Sequence, residues 1–314
     1  MIFVTSLEAV ATYSPTESIL VSSYLRDRGF SLEQARMYEH YYGFGRIQRD
    51  RQAGMAALLT AAARQLAHPS SRLRRVRYLL HARTMLVAVP YPRNPLHEVR
   101  RELGLDQAAA FTVTDHACAS GLLAIHLAGQ LLAADSTPDA LALVLTGEKA
   151  FTAKAQLIPD AAVMGEGAAA VLVRRGSGRD EMLAYATRTI WGFQQNPWSC
   201  PPRSSSGAAR DYPSSLAEVI RCAVDRARLQ LTDIRMVLPH NVNRISLLRL
   251  MKCLGLQVSR LFLEGVPATG HCFCADSFIS YRQVVDTGRL APGDYYLMIS
   301  VGLGTTFSAM VFRH

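Results

Sequence analysis

Apolar positions along this chain follow two rhythms, and the switches between them mark its elements. Short continuous apolar runs bounded by turn residues read as buried strands; apolar residues three and four apart read as helix faces. By these rules residues 1–10 form a strand. Residues 16–68 are mostly helical, with an aromatic knot at 38–44 and an Ala/Leu helix over 52–67. A strand over 77–84 leads toward the Pro-rich loop 90–95. Ala110, Phe111, Thr112, Val113 and Thr114 predict a short buried strand. It passes into a helix in which Leu122, Leu123, Ile125, Leu127, Leu131 and Leu132 recur at helical spacing. Strands over 141–145 and 168–173 follow, the second entered through Gly165-Glu166-Gly167.

A polar, glycine-rich stretch at 174–179 interrupts the pattern and divides the chain into 1–175 and 176–314. The second part opens with a strand over 182–191 and a Pro/Ser/Gly-rich loop over 196–209. A helix over 213–229 precedes a strand over 234–238 that ends at Pro239-His240. Helices over 244–254 and 276–287 come next. Two strands, 295–301 and 306–312, close the chain around Gly302-Leu303-Gly304. Each part alternates strands with helices and ends in adjacent strands. That predicts an α/β fold with helices layered on mostly parallel sheets.

Composition narrows the classes. With 314 residues, 49% hydrophobic and 19% charged, the chain has an ordinary globular balance. No apolar run is expected to reach the ~18–20 residues that span a bilayer. Residues 1–10 contain Glu8 and lack a basic start, so no signal peptide is read there. The six cysteines show neither C-x-x-C nor paired zinc spacing, which predicts free thiols, a reducing cytoplasm and no metal site. The net charge of +9 suits an acidic partner. No basic run is interleaved with aromatics, so nucleic acid is not the expected partner. The cluster Arg72, Arg74, Arg75 and Arg77 reads as a solvated face or a docking patch.

The chemistry concentrates where strands end. Thr114-Asp115-His116-Ala117-Cys118-Ala119-Ser120-Gly121 puts one thiol at a strand-to-helix junction. A helix N-terminus offers unpaired N–H groups and positive partial charge, and both favour the thiolate form of a cysteine. Pro239-His240-Asn241-Val242-Asn243, Ala268-Thr269-Gly270-His271-Cys272 and Gly302-Leu303-Gly304 mark three more strand ends. A lone histidine is ordinarily structural. Two histidines at loop tips, together with a cysteine at a helix start, fit a converging site.

In this order and near-family spacing, these motifs resemble the thiolase superfamily, specifically the ketoacyl synthase III branch of condensing enzymes. Met164-Gly165-Glu166-Gly167 and Gly288-Arg289-Leu290-Ala291-Pro292-Gly293-Asp294 add to the resemblance, which covers nearly the whole chain. It implies a thiolase-like fold of two similar βαβαβ-type halves in α-β-α-β-α layers, 1–175 carrying the cysteine and 176–314 the two histidines. It implies that Cys118 accepts an acyl group from an acyl-CoA or acyl-carrier-protein thioester, with no bound cofactor. His240 would hydrogen-bond the thioester carbonyl of the second substrate. Backbone N–H groups of Cys118 and Leu303 would form an oxyanion hole, shaped by Gly302 and Gly304.

The chain departs from the family at His271, where an Asn following a Gly is usual. Cys118, His240 and His271 resemble the set of elongating ketoacyl synthases, in which both histidines promote malonyl decarboxylation. Decarboxylative condensation in specialised, polyketide- or fatty-acid-like biosynthesis is therefore the first expectation. A non-condensing acyltransferase making an ester or amide is the alternative. A silent carrier-binding subunit is a third reading, disfavoured by the presence of the nucleophile. Asp276 reads as a helix N-cap, with orientation of His271 or acid/base work as its other roles. Asn243, Asp115 and His116 are further candidates for acid/base or orienting roles. By the resemblance, Arg244, Arg249 and Lys252 receive the acidic carrier or coenzyme A phosphates, the chain forms a homodimer, and neither membrane nor nucleic acid is a partner.

Overall fold

The computed structural model describes residues 4–66, 69–87, 89, 92–152, 154–190 and 206–314. The expected strand-to-helix alternation is present. Among the described residues the strands are β1 (Thr5–Tyr13), β2 (Glu17–Leu20), β3 (Arg46–Arg49), β4 (Val76–Ala82), β5 (Ala109–Val113), β6 (Leu141–Gly147), β7 (Leu157–Ile158), β8 (Ala162–Val163), β9 (Ala168–Arg175), β10 (Asp180–Thr189), β11 (Ile234–Leu238), β12 (Tyr295–Gly302) and β13 (Thr306–Arg313). The helices are α1 (Val21–Arg26), α2 (Leu32–Arg36), α3 (Met55–Arg64), α4 (Pro69–Leu73), α5 (Pro95–Glu102), α6 (Ser120–Ala134), α7 (Ser206–Arg226), α8 (Arg244–Leu254), α9 (Gly265–Thr269) and α10 (Asp276–Asp286).

Nine strands hydrogen-bond in the order β11-β12-β13-β10-β1-β9-β6-β4-β5. Strands before Arg175 lie on one side of the β1–β10 junction or form it, and strands after Asp180 lie on the other. The two sides repeat one plan. β9 lies antiparallel between β1 and β6, and β6 is parallel to β4. Likewise β13 lies antiparallel between β10 and β12, and β12 is parallel to β11. The counterpart of β5 is reduced to a single parallel bridge, Val237 with Leu261. Within the sheet, β1 and β10 join the halves through the register pairs Thr5–Met182, Ser6–Glu181 and Leu7–Asp180.

Two expectations need correction. The sheet is not mostly parallel: β4–β5, β4–β6 and β11–β12 are parallel and the other five neighbouring pairs are antiparallel. The short turn between β12 and β13 explains part of this, because only antiparallel neighbours can be joined so tightly. Residues 16–68 are also less helical than their pattern predicts. β2 and β3 pair there, and a π-helical turn occupies Met37–Tyr41.

Packing is layered. α6 and α10 run between the two halves of the sheet. Leu122, Ile125 and Leu132 of α6 and Phe278 and Val284 of α10 share a core with Val144 and Val171 on one side and Met298 and Phe312 on the other. α3 and α5 cover the outer face of the first half through Leu58, Leu59, Leu96 and Val99. α7 and α8 cover the outer face of the second through Leu216, Ile220, Leu247 and Met251. Each such buried side chain stabilises the fold by about 1.5–3 kcal/mol. Contrary to expectation, Ala117–Ala134 is long and apolar enough to cross a bilayer, with mean hydropathy 1.6. The reason is its place in the fold: a helix enclosed between two sheets is apolar on nearly every face.

The helix expected from residue 213 begins at Ser206, with Pro213 inside α7. Residues 191–205 of the expected loop lie outside the described residues. All five described cysteines are free thiols.

Candidate active site

Cys118 sits in a 3-10 turn, Ala117–Ala119, between β5 and α6. The residue before it, Ala117, has a φ of +46°, a left-handed conformation that costs a residue with a Cβ. Surrounding contacts hold the turn in place. Ala117 N donates to Thr114 O, Ser300 Oγ donates to Cys118 O at 2.9 Å, and His116 N donates to Ser120 Oγ. Gly302 packs so closely here that an added Cβ would lie 2.0 Å from His116 O. Leu303 lies in the adjoining turn before β13, about half exposed, while Gly304 takes a φ of +108°.

His271 reaches the sulfur. Its Nε2 stands 3.3 Å from Cys118 Sγ. Its backbone is gripped from both sides: His271 N donates to Val163 O, and Gly165 N donates to His271 O. This explains the glycines in Met164-Gly165-Glu166-Gly167, since a Cβ on Gly165 would lie 2.0 Å from Thr269 O. Gly270 turns with a φ of +66° against Val163 O and delivers His271 inward. Glu166 braces the same segment, paired with buried Lys149 and accepting from Asp50 N.

Asp276 is not the N-cap of α10. Ala275 holds that position, and no side chain caps the helix. The Asp276 carboxylate turns inward instead. It bonds His271 Nδ1 and accepts from Cys272 N and Asn241 N, both at 2.7 Å. A carboxylate with this many donors is better satisfied in the interior than at the helix end. Burial alone would lower the His271 pKa. The carboxylate of Asp276 and the sulfur of Cys118 outweigh burial and hold it up at about 10.

His240 joins the cluster, its ring centroid 6.0 Å from that of His271. Its Nε2 is 3.0 Å from the Tyr212 hydroxyl. Burial, with the charge of His271 beside it, lowers its pKa to about 3, so this imidazole is neutral. Asn241 ties the two histidine loops together, its Nδ2 donating to Thr269 Oγ1 and Gly270 O.

Other candidates lie elsewhere. Asn243 caps α8, accepting from Ser246 N and donating to Asp160 O. His116 faces the Tyr185 hydroxyl at 3.4 Å, and Asp115 is exposed. Arg244 is bonded to the carbonyls of His40 and Tyr41, while Arg249 and Lys252 are exposed on α8. The sequence reading missed Tyr212, Asn241 as a tether, and two further neighbours of the sulfur, Thr84 and Cys274. Thr84 Oγ1 donates to Cys118 Sγ at 3.3 Å and is 3.8 Å from Cys274 Sγ. One signal was available: Glu148 directly follows the apolar β6, where an unpaired carboxylate is costly.

Comparison with known proteins finds likenesses in sequence and in fold. Residues 224–314 match the family described as 3-oxoacyl-[acyl-carrier-protein] synthase III, C terminal. A beta-ketoacyl-[acyl-carrier-protein] synthase III of Streptomyces glaucescens is 25% identical over 234 residues, 68% of each chain. The one from Rhizorhabdus wittichii is 26% identical over 236 residues, 69% of this chain and 70% of its own. Among solved structures, a chain described as the acyltransferase ChlB3 superposes with a TM-score of 0.85 at 23% identity, over 99% of this chain and 97% of that one. The 3-oxoacyl-[acyl-carrier-protein] synthase III of Aquifex aeolicus superposes with a TM-score of 0.81 at 18% identity, over 99% and 100%. These structural likenesses establish a thiolase fold.

Proposed function

From a chain that is ketoacyl synthase III-like in sequence and thiolase-like in fold, we propose an acyltransferase that moves an acyl group from a carrier thioester, through Cys118, to a hydroxyl or amine. One observation carries this reading: His271 holds the Asp276 carboxylate on Nδ1 and faces Cys118 Sγ with Nε2. An imidazole braced by a carboxylate is built to accept a proton and remain charged.

In the first half, the proton of Cys118 rests on His271 Nε2 and the sulfur attacks the thioester carbonyl as the thiolate. The tetrahedral intermediate expels the carrier thiolate, which takes that proton from His271. In the second half, His271 removes a proton from the acceptor as its oxygen or nitrogen attacks the acyl carbon. Cys118 leaves as the thiolate and recovers that proton. Backbone N–H groups at Cys118 and Leu303 are assigned to the oxyanion. Neutral His240, its ring beside that of His271, is assigned the carbonyl of the substrate. The likeness to a chain described as an acyltransferase supports the same reading.

Condensation is the second reading, favoured by the approach of two imidazoles, 6.0 Å between centroids. In that case both would donate to the enolate left by decarboxylation. Intact-mass analysis of wild type and Cys118→Ala with acyl-CoA and acyl-carrier thioesters separates them. Loading on Cys118 that discharges to hydroxyl or amine acceptors, without carbon dioxide release from malonyl thioester, is expected. Malonyl-dependent carbon dioxide release would establish condensation, and no loading would remove both.

A further inference from the structure

We propose that Thr84 is a second hydrogen-bonding partner of the nucleophilic sulfur, held in place by Glu148 as a positioning residue. The proposal rests on the reading of Cys118 as nucleophile. Thr84 follows β4, a strand that contributes neither Cys118 nor a site histidine. Its hydroxyl donates to Cys118 Sγ at 3.3 Å, the distance at which His271 Nε2 approaches the same sulfur. Cys274 does not compete for this role, because its own Sγ donates to Ala117 O.

The Thr84 position is built. Glu148, fully buried at the end of β6, accepts from the backbone N–H groups of both Thr84 and Met85. One carboxylate oxygen serves each amide, so the turn after β4 is clamped and its hydroxyl aimed. Burial pushes the Glu148 carboxyl pKa up, and the Met85 and Thr84 amides work against that shift. A buried carboxyl is otherwise costly, and β6 is buried along its length. The groups facing Cys118 are thus His271, Thr84, Cys274 and Tyr212, with Glu148 behind Thr84.

The chemistry needs this donor twice. A hydroxyl bonded to sulfur favours the thiolate over both the thiol and the thioester, since thiolate is the strongest acceptor of the three. It therefore assists attack on the incoming thioester and departure of Cys118 sulfur when the acyl group moves on. Thr84 transfers no proton; the proton shuttles on His271 alone.

The test is the pH dependence of Cys118 alkylation by iodoacetamide in the full chain, read by peptide mass, beside the rate of acyl loading. Thr84→Val, a near-isostere lacking the donor, is expected to move the alkylation midpoint upward by about one pH unit and slow loading roughly tenfold. Thr84→Ser retains the donor and is expected to stay near wild type. Glu148→Gln leaves one amide poorly paired and is expected to give part of the Thr84→Val shift, with no further shift in the double variant. A Thr84→Val protein with wild-type midpoint and loading overturns the proposal. So does a Thr84→Ser protein as impaired as Thr84→Val, which would mark packing rather than hydrogen bonding. Additive shifts in the double variant overturn the role of Glu148. A wild type that alkylates at Cys118 but never loads acyl groups would instead overturn the acyl-transfer reading, and the alkylation midpoints would still decide the contact.

Discussion

His271 Nε2 lies 3.3 Å from the sulfur of Cys118 although 153 positions separate the two residues in the chain. The histidine comes from the loop before α10 and the cysteine from the turn before α6, the two helices enclosed between the sheet halves. The contact between the two side chains is thus a product of how those two helix starts face each other.

Asp276→Asn is the sharpest probe of that pairing. It removes the charge that holds the His271 pKa up, leaving burial to push it down. Acyl loading is expected to fall by about 10²–10⁴-fold, measured as single-turnover labelling of Cys118. Disrupting a buried pair is also expected to cost about 3–5 kcal/mol in a denaturant titration. Loading at the wild-type rate would sink the proposed role of Asp276.

Close backbone approach predicts two intolerant glycines. Gly302→Ala would put a Cβ 2.0 Å from His116 O, and Gly165→Ala would put one 2.0 Å from Thr269 O. The first displaces the cysteine turn and the second the histidine loop. Both variants are expected to lose loading activity and to melt several degrees lower by circular dichroism. A Gly302→Ala protein with unchanged loading would contradict the packing argument.

Stability should fall on both sides of neutrality. His81 and His240 are buried with pKa values lowered to about 4 and about 3, mainly by desolvation. Their contributions are complete above the unfolded value near 6.5 and are lost as pH falls toward the folded values. For His81 this amounts to about 3 kcal/mol. His271 is raised to about 10, so its contribution is complete below about 6.5 and fades as pH rises toward 10. Urea midpoints measured from pH 4 to 10 are expected to peak between these arms, and His81→Phe is expected to flatten the acid arm. An acid arm unchanged in that variant would remove His81 from the account.

Lys149 and Glu166 form a buried pair 2.5 Å apart beneath the segment that grips His271. Lys149→Met leaves the carboxylate without its cation and is expected to cost about 3–5 kcal/mol. The paired replacement of Lys149 by Met and Glu166 by Gln is expected to recover a large part of that loss. Calorimetry on the single and double variants checks this, and equal losses in both would argue against a charge-pairing effect.

The sequence by itself determined many of the elements and marked the strand ends that carry Cys118, His240 and His271. β11 and α8 fall on their expected residues, because clean apolar periodicity and an Asn cap fix those segments locally. The α/β character and the ketoacyl synthase III likeness were legible for the same reason: strand ends carrying Cys, His and Gly are local features. The pairing of β2 with β3 was hidden, because a four-residue strand gains its stability from a partner 26 or more positions away. The sheet's direction was hidden too, since periodicity reports which face is buried and not which neighbour is chosen. At the site, the sequence named Cys118, His240 and His271, and read Asp276 first as a helix cap with orientation of His271 as the other role. Only tertiary structure could turn that carboxylate inward, because the Asn241 amide that it accepts from lies 35 positions away. Thr84 and Glu148 carried no motif. The contact of Thr84 with the sulfur, and of Glu148 with the Thr84 amide, exists because β4 and β6 are parallel neighbours, a juxtaposition that no local stretch of sequence encodes.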